Sequence, residues 1–244
     1  YYTGAVEIYG FHGTVKGAGT TKTIMNLIPG IPVEDQLNNN QCSAWWRMIG
    51  GDITLSDMTF KTPDGSLVKE GFLDFYGKDL YTILIFNNYN DLYFHPDEFQ
   101  KVEVTRVNFY GGYDNPEDGG YFKSDHNVLL GIWIGFDYWW PADGVSYPLT
   151  KGSYVINDCF FEHFVDAAEG FSLGEYASMV VENCVLNKNW WPLYFRANYN
   201  SDIVIKNNIF SNTETYGVNE IGIWDADFGY LGNTQILPLK PCRY

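Results

Sequence analysis

Positive charge is scarce in this chain. Its 244 residues carry 15 Lys and Arg against 30 Asp and Glu, a net charge of −15. Nucleic-acid binding rests on basic patches that displace counterions, so that class is excluded. An anionic membrane surface is disfavoured for the same reason. A polyanionic sugar would be repelled unless a cation bridged it, whereas a neutral glycan, bound calcium or simple solubility fits an acidic surface. Long apolar runs are missing too. None approaches the roughly 18 residues of a transmembrane helix, so no membrane insertion is expected. No signal peptide is visible. The chain starts at Tyr1 and enters a strand almost at once. It reads as an extracellular or cell-surface chain with a processed N-terminus. Cysteine is limited to Cys42, Cys159, Cys184 and Cys242, at spacings that do not suggest zinc.

Only 18% of residues are charged, and another 18% are aromatic. What is present in quantity is a repeated apolar pattern. Ile203 and Ile205 are two apart, a polar pair intervenes, and Asn208 and Phe210 are again two apart. That spacing describes two short strands joined by a bend. Met179, Val181, Cys184 and Leu186 repeat it. So do Tyr154, Ile156, Cys159 and Phe161; Val102, Val104, Val107 and Phe109; and Ile53, Leu55, Met58 and Phe60. Val6, Ile8, Phe11 and Gly13 fit less fully. The later copies start about 24 residues apart and the earlier ones at about twice that, a period that signals a solenoid. Val128, Leu130, Trp133 and Gly135, with Tyr81, Ile83 and Phe86, are the expected intermediate copies. The second residue of the bend is Gly10, Asp57, Arg106, Asp158, Asn183 and Asn207 in turn. All but Arg106 tolerate a left-handed backbone. Strain or a different turn is expected at Arg106. Cys159 and Cys184 share one position in adjacent copies, which predicts two stacked buried thiols, with a disulfide as the alternative.

These quartets, with their corner asparagines and the Lys16 to Met25 segment, resemble the right-handed parallel β-helix of the pectin-lyase-like superfamily. The resemblance implies an all-β solenoid, a single domain over residues 1–244 of about nine or ten coils and on the order of 45 Å long. It implies no particular activity. The polygalacturonase motifs N-T-D, D-D, G-H-G and R-I-K are absent. Phe11-His12-Gly13 and Ser124-Asp125-His126 are the nearest fragments, so no catalytic residue carries over. Loops are expected near 29–44, 87–99, 110–123 and 137–152, and a capping tail at 232–244, where Pro238 and Pro241 cannot donate to a ladder. No amphipathic helix precedes Val6 to cover the first coil, and an open parallel edge invites pairing with another chain.

Three groups of residues are candidates for chemistry. Glu162, His163, Asp166 and Glu169 follow a strand. Two carboxyls flanking a sugar serve as acid and base, and a histidine titrates near neutrality. The bland alternative is a solvated loop. Asp114, Asn115, Glu117 and Asp118 offer hard oxygen ligands for calcium on a glycine-flanked turn, as do Asp225 and Asp227 more sparsely. A turn without metal fits equally. Trp45 and Trp46, Trp139 and Trp140, and Trp190 and Trp191 each precede a quartet. Outward rings on successive coils would form a sugar-stacking platform, anchor loops, or fill an interface, where Trp and Tyr are enriched. Missing motifs and an uncovered first coil favour a structural or adhesive scaffold that self-associates. A carbohydrate-binding or carbohydrate-cleaving protein is the alternative.

Overall fold

The computed structural model describes residues 1–3, 6–27, 44–62, 82–87, 89–90, 93–94, 99–111, 130–135, 150–164, 166–189, 191–197, 201–211, 221–225 and 233–236. Every regular element among them is a strand. The chain makes successive passes that lay its strands into three parallel stacks. After β1 (Tyr2–Thr3), the first pass holds β2 (Val6–Tyr9), β3 (His12–Lys16) and β4 (Ile24–Leu27). The second holds β5 (Ala44–Ile49) and β6 (Asp52–Lys61). The third holds β7 (Thr82–Asn87), a side hairpin of β8 (Tyr89–Asn90) and β9 (Tyr93–Phe94), and β10 (Gln100–Tyr110). The fourth holds β11 (Leu130–Gly135), β12 (Thr150–Asn157) and β13 (Phe160–Glu162). Then come β14 (Asp166–Glu182) and β15 (Val185–Asn187); β16 (Trp191–Ala197), β17 (Asp202–Lys206) and β18 (Ile209–Ser211); and β19 (Ile221–Asp225) and β20 (Asn233–Ile236).

The first stack runs β2, β5, β7, β11, the start of β14, β16 and β19. The second runs β3, β6, β10, β12, the end of β14, β17 and β20. The third runs β1, β4, the ends of β6 and β10, β13, β15 and β18. Ile53, Val102, Tyr154, Met179 and Ile203 are directly opposite one another down the second stack. The quartets therefore line up as their spacing required, and every residue of the five full ones is buried.

Two expectations are corrected. Val102 pairs with both Ile53 and Tyr154, so no strand lies between them in that stack. The described parts of the supposed intermediate copies, 82–86 and 130–135, fall in the first stack, where β7 and β11 pair with each other; Tyr81 and Val128 lie outside the described residues. The described residues thus show seven strands per stack against the expected nine or ten coils. The long intervals are single passes, not double passes. The frame of the first copy also shifts. Gly13 and Val15, not Val6 and Ile8, stand opposite Ile53 and Leu55, while Val6 and Ile8 stand opposite Trp46 and Met48. Gly10 accordingly turns a different corner, where its N–H donates to the Ile49 carbonyl. Gly51 follows in the next pass with φ +83°, and a Cβ there would collide with the Phe11 carbonyl oxygen. Strands also intrude on three expected irregular segments: β8 and β9 lie within 87–99, Thr150 to Gly152 belong to β12, and Asn233–Ile236 continues the second stack.

The corner between the second and third stacks behaves as its composition implied. Asp57, Arg106, Asp158, Asn183 and Asn207 all have φ between 52° and 59°. Arg106 takes the same turn as the rest. Its guanidinium donates two hydrogen bonds to Asp57, at 2.6 and 2.9 Å, which offset the backbone cost. Those bonds hold the Asp57 carboxyl down at about 2, helped by Ser56 and Lys16 and opposed by desolvation. A depressed carboxylate stabilises the fold above its unfolded value near 3.8 and loses that contribution as pH falls towards about 2. Thermal melts across that window should therefore fall more steeply for the parent chain than for Arg106→Ala. Parallel slopes would show that the pair contributes nothing, as many exposed pairs do.

Inside the stacks, Phe60, Phe109 and Phe161 form a ladder of parallel rings. At the same inner corner position, Cys159, Cys184 and Asn208 each reach the carbonyl of the preceding pass. The Asn208 Nδ2 donates to Val181 O at 2.9 Å; the thiols lie 3.5 Å from Val104 O and 3.7 Å from Ile156 O. Both cysteines are free and buried, as two stacked thiols, and burial pushes the Cys184 thiol well up. Cys42 and Cys242 lie outside the described residues.

Candidate functional site

In the first stack β5, β7 and β11 are buried on both faces, whereas β2 alternates between half-buried and exposed. Positions facing the core alternate with a second row that runs Glu7, Arg47, Ile85, Trp133, Glu169 and Tyr194. Glu169 thus stands between an indole and a phenol, one pass away on either side. Arg47 is fully buried in the same row, with Nη1 3.3 Å from Glu7 Oε1. Asp166 opens the same strand and is opposite Leu130 on one side and Trp191 on the other. Both carboxylates are nearly covered, Asp166 at 3% and Glu169 at 6% exposure.

The other two members of that cluster lie elsewhere. Glu162 ends β13 in the third stack and accepts a hydrogen bond from Asn187 Nδ2. His163 turns the next corner with φ +64°. The segment from Asp166 onward is strand, not the solvated loop of the bland alternative. Trp45 and Trp46 are core residues, their rings edge-on to Phe60 at 5.4 and 5.2 Å. Neither is placed to stack on a sugar. Trp139, Trp140, Trp190, Asp114, Asn115, Glu117, Asp118 and Asp227 lie outside the described residues, and Asp225 ends β19. Among the described residues no three His, Cys, Asp or Glu side chains are grouped to hold a metal ion. No helix there is long and apolar enough to cross a membrane.

A second arrangement was not singled out from the sequence. On the outer face of the second stack an open groove of about 460 Å³ spans four strands. Asp52, Lys101 and Ser153 form one row along it, and Thr14, Thr54 and Glu103 the next. His12 flanks it, with Nδ1 3.5 Å from Asp52 Oδ2. The signal was available in the polar residues alternating with each quartet, since those must face outward. Beneath the groove Gln100 is buried. It donates to the Met48 and Gly50 carbonyls at 3.4 and 3.1 Å and accepts from the Tyr154 hydroxyl at 3.3 Å. Burial pushes that phenol far above its usual range. The network ties the first stack to the second and fixes the floor of the groove.

No protein-family profile, no curated protein and no solved structure matches this chain.

Proposed function

We propose that the three stacks are the faces of a right-handed parallel β-helix, and that the chain is an extracellular or cell-surface scaffold that associates end-on through its first coil. Seven coils at the strand spacing make a rod of about 30 Å. The observation that carries this reading is the open edge of β2 and β3 among the described residues. Among the described residues, β2 pairs only with β5 and β3 only with β6, which leaves one edge of each open. Val6, Ile8, Phe11, Val15 and Met25 pack on the core yet stay partly exposed, whereas Trp46, Met48, Leu55 and Phe60 opposite them are buried. Tyr9 at 38% and Ile24 at 37% exposure add apolar surface at the same end. An open parallel edge over half-covered apolar side chains is a template for strand addition.

Sedimentation velocity over a range of protein concentrations, with electron microscopy of the same samples, tests this. Elongated particles whose mass grows with concentration are expected. A strict monomer at every concentration overturns it.

A second reading, a carbohydrate-active protein, is favoured by Glu169 between Trp133 and Tyr194, since a carboxylate beside aromatic rings is a sugar-binding arrangement. The burial of that row places it second. Glycan binding that is lost in Glu169→Gln, in a chain that stays monomeric, would reverse the order.

A further inference from the structure

The groove on the outer face of the second stack suits neither strand addition nor sugar stacking. Its 460 Å³ are lined by charged groups of both signs and by hydroxyls, and no aromatic ring is among the lining residues. A sugar ring or a nucleobase finds no face to stack on there. An added strand finds no free backbone, because β10 at the centre is laddered to β6 on one side and β12 on the other. Recognition therefore falls to side chains. Lys101 and Glu103 stand two residues apart on the outer face of β10. Neither makes a hydrogen bond or an ion pair among the described residues. Asp52, beside Lys101 in its row, lies against His12 instead, 3.5 Å away.

We propose that this groove binds a dipeptide-sized zwitterion, a short peptide with both termini free. A ligand of one sign is unsuited to it. Asp52 and Glu103 repel a plain anion, and Lys101 repels a plain cation. A ligand carrying both charges satisfies both groups. Outward side chains two residues apart on a strand are about 6.6 Å from each other. An extended dipeptide spans about 7 Å. It therefore fits along β10 with its carboxylate at Lys101 and its ammonium at Glu103. Each charge then has a second polar neighbour: Ser153 stands opposite Lys101 in the following pass, and Thr54 opposite Glu103 in the preceding one. Val155, opposite Glu103 in the following pass, offers an apolar contact to the first side chain of the ligand. Ile53 and Val102 are buried beneath, and the Gln100–Tyr154 bond holds that floor, so the two charges are presented at a fixed spacing before the ligand arrives. The site does not depend on how the chain associates.

Saturation-transfer NMR on L-alanyl-L-valine, titrated with the full chain at low salt so that exposed charges are weakly screened, tests this. A dissociation constant of about 1 mM or tighter is expected. Lys101→Gln and Glu103→Gln should each weaken binding about tenfold, the loss of one charge-assisted contact. N-acetylation of the dipeptide should weaken binding to the parent chain by as much, and should cost nothing further in Glu103→Gln. Amidation of its carboxyl should behave the same way with Lys101→Gln. L-Alanine, whose two charges are too close together to reach both groups, should bind about tenfold more weakly or worse. Lys22→Gln, an exposed lysine outside the groove, should bind as the parent does. Melting curves matching the parent show that the variants fold. No transfer at about 10 mM dipeptide, binding that survives both groove substitutions, or equal binding of the acetylated dipeptide or of L-alanine each overturns the proposal. None of these outcomes turns on whether particles grow with concentration, so the scaffold reading stands or falls separately.

Discussion

Phe109→Ala is expected to cost about 3–5 kcal/mol. The ring is wholly buried and lies between Phe60 and Phe161, with centroids 5.7 and 4.8 Å away and ring planes within 7° and 6°. Three consecutive passes share that ladder, so alanine removes two stacking contacts and leaves a void between layers that parallel strands cannot close. Each stacked pair contributes about 0.5–1.5 kcal/mol beyond its area. Phe109→Leu keeps most of the volume and should cost less than half as much. Guanidinium denaturation followed by tryptophan fluorescence measures both. In a stack where each layer touches only its neighbours, the midpoint should fall, and a drop in slope would show the passes uncoupling at the third. A loss below about 1 kcal/mol would mean the ladder is loosely packed.

Asn208→Leu should be comparably severe for a different reason. The side chain is buried inside the corner, where its Oδ1 accepts the Cys184 N–H at 2.8 Å and its Nδ2 donates to Val181 O at 2.9 Å. Leucine fills the space and leaves both backbone groups without partners, at about 1–3 kcal/mol each. Asn208→Cys should lose roughly half of that. Cys184 and Cys159 hold the same place in the two preceding passes and direct a weak donor at the same carbonyl position. Hydrogen exchange at the Cys184 amide reports the loss directly: rapid exchange in Asn208→Leu, at a site protected in the parent, is the expected result. Asn189 makes the same pair of contacts at the next corner, to Phe164 N and Phe161 O at 3.0 and 3.2 Å. The same device thus serves two different corners of the fold.

Local pattern set the second and third faces of this molecule. The quartets alternate because one side of each short strand meets the core and the other meets water, and the bend between them takes residues that accept a positive φ. Ile53, Val102, Tyr154, Met179 and Ile203 could be placed above one another from spacing alone. The first face could not be read that way. Residues 44–49, 82–87 and 130–135 are buried on both sides, so apolar residues occupy successive positions in them and no alternation marks their register. For that reason Trp45 and Trp46 could not be assigned to the core, nor Glu169 to a place beside Trp133. Distance along the chain is equally silent on whether 49 or 52 residues make one pass with an excursion or two passes without. Hydrogen bonding between strands decides that, and it made Val102 the direct neighbour of both Ile53 and Tyr154. The groove of Asp52, Lys101 and Glu103 belongs to the same class. It joins residues dozens of positions apart, and only the register of the folded stacks brings them together.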